Sequence, residues 1–385
     1  MKRRQMLIAL AGVTGATAVS GMGWRLGNEE VTETPESDAY QPWRSWPSGS
    51  GLMLAASAAV LAASPHNTQP WQFHIGANRV DLFADTKRTL GTMDPLLREQ
   101  QIGTGCALEN LVVAAERTGL GVKEMTLDPD PATKRIASVT FVPQLRQESA
   151  AYRAIPHRHT NRGPYLENRS IPTELLKELE QLNTDQDSMQ VILLTERSRR
   201  EQMRELIITA SEAIVADRQQ SHDSAQWYRG TVSKINRYRD GVTLDAQGLS
   251  PIMTALSKLV PEPSERLADK VFVDRTRNVH CGPGATFGTI AAIAPTGKLR
   301  RVLIGRLWQR IHLWGTANGL AMQPLNQIHE RIDREATTSI EPTFTRGLTG
   351  LVDQAKWNGL FSFRMGYAAR AAKPSPRREL SQFLV

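Results

Sequence analysis

SPHNTQPWQF, residues 64–73, is the stretch on which the fold turns. It follows an apolar run rich in Ala and Leu (51–63) that predicts a helix, and it leads into alternating apolar residues that predict a strand. Pro65 and Pro70 fix the backbone on either side of a short polar turn. Asn67 and Gln69 bring two amides, each both donor and acceptor, into that turn. Taken alone, such a stretch also suits an ordinary helix-to-strand connection with a packed Trp71.

Working outward, residues 72–75 and 80–84 flank Gly76-Ala77-Asn78-Arg79 and predict a β-hairpin. Residues 98–118 carry Ile102, Cys106, Leu111, Val112 and Ala115 near helical spacing, with Gly119 as a stop. Residues 135–142 predict a strand. A second unit begins near residue 150, with helices expected over 172–182, 197–217 and 299–318. Strands are expected over 189–195, 289–294 and 361–367. Residues 227–265 mix aromatics, charges, Gly and Pro, as in an excursion over a surface. Helices outnumber strands, which gives an α+β class with helices packed around a mixed, mainly antiparallel sheet.

The chain has 385 residues, 40% hydrophobic and 22% charged, and a net charge of +8. This composition suits a folded globular protein and excludes wholesale disorder. The basic residues are scattered and form no nucleic-acid-binding signature, so anionic small molecules are the better partners. Cys106 and Cys281 form no CxxC and no Cys/His spacing, so no metal site is expected. Two buried thiols and a single disulfide both remain open for them. No Gly-x-Ser-x-Gly elbow is present, and Gly282 to Gly288 lacks a nucleotide-loop ending.

The N-terminus has its own pattern. Lys2, Arg3 and Arg4 precede an apolar stretch, Met6 to Val19, and Ala16-Thr17-Ala18 offers small residues for cleavage. That order is a secretory signal, and the Arg3-Arg4 pair resembles a twin-arginine signal read for folded cargo. We expect a signal over 1–27, a Pro-containing linker over 28–50, and export to the periplasm or cell surface.

Two further stretches carry chemistry. Arg158-His159-Thr160-Asn161-Arg162 places two guanidinium groups and a hydroxyl within five residues. In an extended segment Arg158, Thr160 and Arg162 fall on one side, and paired arginines suit a phosphate dianion. Pro374-Ser375-Pro376-Arg377-Arg378-Glu379-Leu380 is a second extended basic element. Each alone also suits a solvated basic loop.

Together and in this order, SPHNTQPWQF (64–73), REQQIGTGCALENLVVAAERTGL (98–120), IPHRHTNR (155–162), GTANGLAMQP (315–324) and FRMGYAA…SPRREL (363–380) resemble the nitroreductase family of flavoproteins. The Acg-type branch is the nearest pattern. The resemblance implies a nitroreductase-like fold in which one chain is a fused pseudo-dimer, with a first module over 51–149 and a second over 150–385. It implies one FMN per chain. Arg158, Thr160, Arg162, Arg377 and Arg378 of the second module would meet the phosphate and ribityl chain, and Asn67 and Gln69 of the first would meet the flavin edge. Pro65 and His66 stand where the family often has Ser.

The activity implied is an FMN-dependent oxidoreductase using NAD(P)H and a small-molecule acceptor, in a monomer or weak dimer. No acid–base side chain is required, so none is assigned as catalytic. Nicotinamide cofactors are scarce outside the cytoplasm, which opens the alternative of an FMN-holding protein with little turnover and a lid over 227–265.

Overall fold

The computed structural model describes residues 37–259, 262–352 and 356–385; the expected signal over 1–27 lies outside them. In the first half the chain runs α1 (Gln41–Ser45), α2 (Gly51–Val60), β1 (Trp71–Ile75), β2 (Arg79–Ala84), α3 (Arg98–Arg117), β3 (Leu120–Leu127) and β4 (Arg135–Pro143). The second half begins with α4 (Ala150–Ala154), α5 (Thr173–Gln181) and β5 (Met189–Leu194). A long insertion follows, comprising α6 (Arg197–Ala216), α7 (Arg218–Ala225), β6 (Tyr228–Arg229), α8 (Val232–Tyr238), β7 (Val242–Thr243), α9 (Pro251–Leu259) and α10 (Glu265–Arg275). It closes with β8 (Thr286–Ala292), α11 (Lys298–Ala317), β9 (Ala321–Pro324), α12 (Gln327–Thr338), α13 (Thr343–Val352) and β10 (Asn358–Gly366).

The two halves repeat one plan. The first sheet has the order β1-β2-β4-β3 and the second β5-β8-β10-β9, so in each the fourth strand of the module lies between its second and third. Every ladder in both sheets is antiparallel. In each module a long helix, α3 or α11, connects the second strand to the third. The fold class is α+β, as the sequence predicts, but the single mixed sheet resolves into two antiparallel four-stranded sheets and a short parallel pair, β6–β7. The modules differ chiefly where the short β1–β2 hairpin of the first is replaced by the α6–α10 insertion in the second.

Helices α3 and α11 pack together at a pair of glycines. A Cβ on Gly105 would sit 2.1 Å from the carbonyl oxygen of Val302, and one on Gly305 would sit 1.9 Å from that of Ile102. Only residues without a side chain permit this approach, well inside van der Waals contact. Polar contacts fix the register of the crossing: Arg306 and Arg310 both donate to Glu109, at 2.9 and 2.8 Å, and Gln309 donates to Asn110 at 2.7 Å. Around it, Ile102, Leu108, Leu111, Val302, Trp308 and Ile311 are buried in one apolar core that spans both modules.

The C-terminus crosses back to the first module. Leu384 forms a parallel bridge with Phe73 at the edge of β1, and the Val385 amide donates to the Phe73 carbonyl at 3.0 Å. Phe383 is fully buried against Trp71 and Phe73. The stretch expected to be a linker, 28–50, is corrected from Ser37 onward: Ala39, Tyr40, Trp43 and Trp46 are buried in the core, because three bulky aromatics within seven positions gain more from burial than a linker allows. Cys106 and Cys281 are free, buried thiols. Among the described residues no helix is long and apolar enough to cross a membrane.

Candidate functional site

The turn at 65–69 is held in an uncommon backbone shape. His66, Asn67 and Gln69 have φ of 45°, 56° and 53°, the left-handed region that side chains with a Cβ disfavour. Such conformations persist only where surrounding contacts over-determine them, and here they do. The Gln69 amide N–H donates to Ser64 Oγ at 3.1 Å, its Nε2 donates to the Arg239 carbonyl at 2.9 Å, and its Oε1 accepts from the Arg378 main-chain N–H at 2.9 Å. Asn67 Nδ2 donates to the carbonyls of Pro376 (2.9 Å) and Gly241 (3.1 Å), and its Oδ1 accepts from Arg377. The first motif and the C-terminal basic tail are therefore in direct contact, although more than 300 positions separate them in sequence.

The second motif meets them at the end of α2. Arg158 donates to the Leu61 carbonyl at 2.9 Å, and Arg377 donates to the Ala62 carbonyl at 3.1 Å. These are carbonyls just past a helix C-terminus, where unpaired acceptors and the negative end of the helix dipole favour cations. Both guanidinium groups approach the Trp43 ring, the Arg158 Cζ 6.0 Å and the Arg377 Cζ 4.8 Å from its centroid; the Trp43 indole N–H donates to the Ser375 carbonyl at 2.8 Å. His159 stacks edge-on against the same ring at 4.6 Å.

The electrostatics of this cluster are unusual. Arg158 and Arg377 are buried, and no carboxylate pairs with either among the described residues. Their Nε atoms, and His159 Nδ1, are buried without a hydrogen-bond partner. Burial pulls Arg158 down to about 10, and burial followed by the charge of Arg158 holds Arg377 well below the usual guanidinium range. His159 is depressed to about 3 by burial and then by Arg158 and Arg377, so its ring is neutral at physiological pH. Helix carbonyls and the Trp43 ring offset only part of the cost of desolvating two like charges. An anion is the group this arrangement lacks.

Arg162 lies in a second cationic environment. It donates to the Ala246 carbonyl at 3.4 Å, and its own carbonyl accepts from Arg275 at 3.1 Å. Burial, then Arg275 and Arg364, lowers it to about 10. Its charge reaches the first motif, because Arg162 is the second cause, after burial, of the fall of His66 to about 4. Arg158 and Arg162 thus engage different backbone partners. Thr160 between them is half-buried.

Arg378 is placed otherwise than the phosphate contact predicted for it. Its guanidinium turns over the Phe383 ring at 4.3 Å and donates to the Gln382 carbonyl at 3.0 Å, leaving its main-chain N–H to serve Gln69. The structure joins Asn67, Gln69 and Arg377 in one hydrogen-bonded network and sets Arg158 beside it through the Leu61 carbonyl and the Trp43 ring, with Arg162 acting on its flank.

The insertion packs over both motifs. Gly241 exchanges bonds with Asn67, Ser224 Oγ lies 3.1 Å from His66 Nε2, Ala246 meets Arg162, and Asp240 pairs with Arg88 and Arg229. Sequence reasoning missed Tyr40 and Trp43 here. The cue available was a pair of large aromatics inside a stretch assigned as linker.

No family model matches the chain. A Mycobacterium tuberculosis protein named "Putative NAD(P)H nitroreductase" is 24% identical over 352 residues, covering 88% of this chain and 92% of that protein. A second protein of that organism with the same description, Acg, is 33% identical over 121 residues, which is 30% of this chain and 36% of that one. Two solved structures overlap part of the chain. An FMN-bound nitroreductase of Desulfitobacterium hafniense is 13% identical and covers 60% of this chain and 96% of its own, with a TM-score of 0.38. An FMN-dependent nitroreductase of Mycobacterium smegmatis in complex with NADPH is 17% identical over the same shares, with a TM-score of 0.35. The sequence similarity spans both modules, and by it the chain is similar along most of its length to proteins of the nitroreductase family.

Proposed function

We propose that the chain is an FMN-dependent oxidoreductase of nitroreductase type, of the Acg-like single-chain kind, exported folded with its flavin. The observation that carries this reading is the pair of buried guanidinium groups, Arg158 and Arg377, which lack a carboxylate among the described residues and meet adjacent carbonyls at the end of α2, with Arg377 also bonded to Asn67. A phosphate monoester dianion fits that donor set, because each guanidinium offers a planar fork and an unused Nε. Asn67 and Gln69 would meet the ring edge, with Arg162 and Thr160 beside the ribityl chain.

FMN, when bound, supplies two-electron redox chemistry. The chain's own part is to bind, orient and tune. Arg158 and Arg377 would hold the phosphate, and Asn67 and Gln69 would hold the turn that faces the ring edge. His66 and His159 stay neutral at pH 7 and add no charge. The cation Arg162 stabilises negative charge that develops nearby. NAD(P)H is the donor in this reading, in keeping with the names of the curated relatives, and a small molecule is the acceptor. Export rests on the Arg3-Arg4 signal pattern, and a monomer or weak dimer on two modules supplying one site.

One observation favours a second reading, an FMN-holding protein with little turnover. Residues 224–246 lie directly on His66, Asn67, Gln69 and Arg162, as a lid would. Anaerobic addition of NADPH to the yellow protein separates the two: rapid bleaching of the flavin band indicates turnover, and an unchanged band indicates a closed store. The double substitution Arg158→Ala with Arg162→Ala tests the site itself. It is expected to lower FMN affinity by several kcal/mol, about 1.5–3 for each charged hydrogen bond removed. Flavin retention equal to the parent protein's would sink the assignment.

A further inference from the structure

His312 stands on α11, one turn beyond Trp308, and is 1% exposed. Its ring lies 5.0 Å from that of Trp308, which packs in turn against Phe361 and Phe363 at 4.7 and 5.0 Å. An imidazole enclosed this way is held in one orientation. Its Nδ1 faces Nη1 of Arg158 at 3.4 Å. A guanidinium only donates, so Nδ1 must accept, and the ring proton belongs on Nε2. Burial first, and then the charge of Arg158, holds the ring well below the ordinary histidine range, against a smaller opposing effect of the His159 carbonyl. His312 is therefore neutral, with a lone pair turned toward a cation. Leu61 takes the other end of the same group: Nη2 of Arg158 donates to its carbonyl at 2.9 Å. Arg158 is thus held by both terminal nitrogens, one from each module, while its Nε has no partner.

We propose that His312 is a positioning residue: as a neutral acceptor it fixes the rotation of the Arg158 guanidinium, and so the direction in which the remaining N–H bonds of that group meet a phosphate. The inference rests on the flavin reading and adds to it a residue that touches no part of the flavin. Without this acceptor Arg158 is tethered at Leu61 alone. A phosphate then has to order the guanidinium as it binds, which weakens binding. A role in packing alone would not distinguish a ligand with a phosphate from one without.

Fluorescence titration of the flavin-depleted full chain with FMN and with riboflavin, which lacks the phosphate, tests it. His312→Phe fills the space without an acceptor and is expected to weaken FMN by about tenfold while riboflavin changes by less than about twofold. His312→Asn places its Oδ1 where Nδ1 stood and is expected to return FMN to within about threefold of the parent. His312→Gln carries its amide at the place of Nε2 instead; it is expected to behave as the Phe variant does, and it supplies the same contrast should that variant not fold. Equal weakening of FMN and riboflavin in the Phe and Gln variants would overturn the proposal, since it would mean packing alone. So would an Asn variant as weak for FMN as the Gln variant. A parent chain that binds neither flavin, or both alike, would overturn the phosphate reading and the role of His312 with it. Parent preference for FMN kept in both the Phe and Gln variants would overturn the role of His312 alone.

Discussion

Arg377 joins three parts of the molecule through one planar group, bonding Asn67 Oδ1, the Ala62 carbonyl and the Pro376 carbonyl while facing Trp43. A lysine keeps the charge but not the fork. Arg377→Lys is therefore expected to reduce flavin retention by at least about tenfold, the worth of one charged hydrogen bond, as read from the flavin-to-chain ratio after gel filtration. Full retention in Arg377→Lys would mean that charge alone suffices. The sequence made the basic pairs visible but not their division of labour. Arg377 and Arg378 are indistinguishable in an extended tail, and only the packing of Phe383 under the guanidinium of Arg378 turns that side chain away.

At the scale of elements, the crossing of α3 and α11 depends on Gly105 and Gly305. Gly305→Ala places a methyl group against the Ile102 carbonyl and forces the helices apart, a form of overpacking that costs about 1–3 kcal/mol or more. Chemical denaturation is expected to show the midpoint falling with little change in slope; an unaltered midpoint would mean that the helices separate freely. The helices α2, α3, α5, α6 and α11 and the strands β1, β2, β4, β5, β8 and β10 were legible in the sequence because their apolar periodicity was strong, whereas shorter helices such as α4 and the amphipathic α12 and α13 were not. Nor were β3 and β9. β3 presents Val122, Lys123 and Glu124 to solvent, so it lacks a buried alternation, and β9 is only the four residues Ala-Met-Gln-Pro. Within the insertion α6 was expected from the sequence, whereas α7 to α10 were hidden; α10 buries no residue fully and its pattern matches a polar excursion.

At the scale of the whole molecule, the modules are also joined through buried charge. Arg98 of the first pairs with Asp333 of the second at 2.8 Å and donates to the Leu360 carbonyl at 3.1 Å. Glu99 of α3 and Glu330 of α12 are both buried near Arg98, and each acts on the other's titration. Burial, opposed in part by Arg98, raises Glu330 to about 8, and burial together with the charge of Glu330 raises Glu99 well above the carboxylate range. A carboxyl group whose folded pKa exceeds its unfolded value binds more protons when folded between those two values. Its contribution to stability is therefore lost as pH rises from about 4.5 to about 8. Glu330→Gln removes that titration, so the difference in melting temperature between the variant and the parent is expected to grow in the variant's favour across this window. A constant difference would mean that the pair titrates normally.

The return of the C-terminus to β1 has a consequence for any attempt to take the molecule apart. Severed between β4 and α4, the first fragment would keep its four strands yet lose the bridge at Phe73 and the cover over Trp71, while the second would carry Phe383 and Arg377 with nothing to receive them. Neither fragment is a smaller version of the whole. Mixed together, they should reassemble, so that yellow colour returns only when both pieces share a tube.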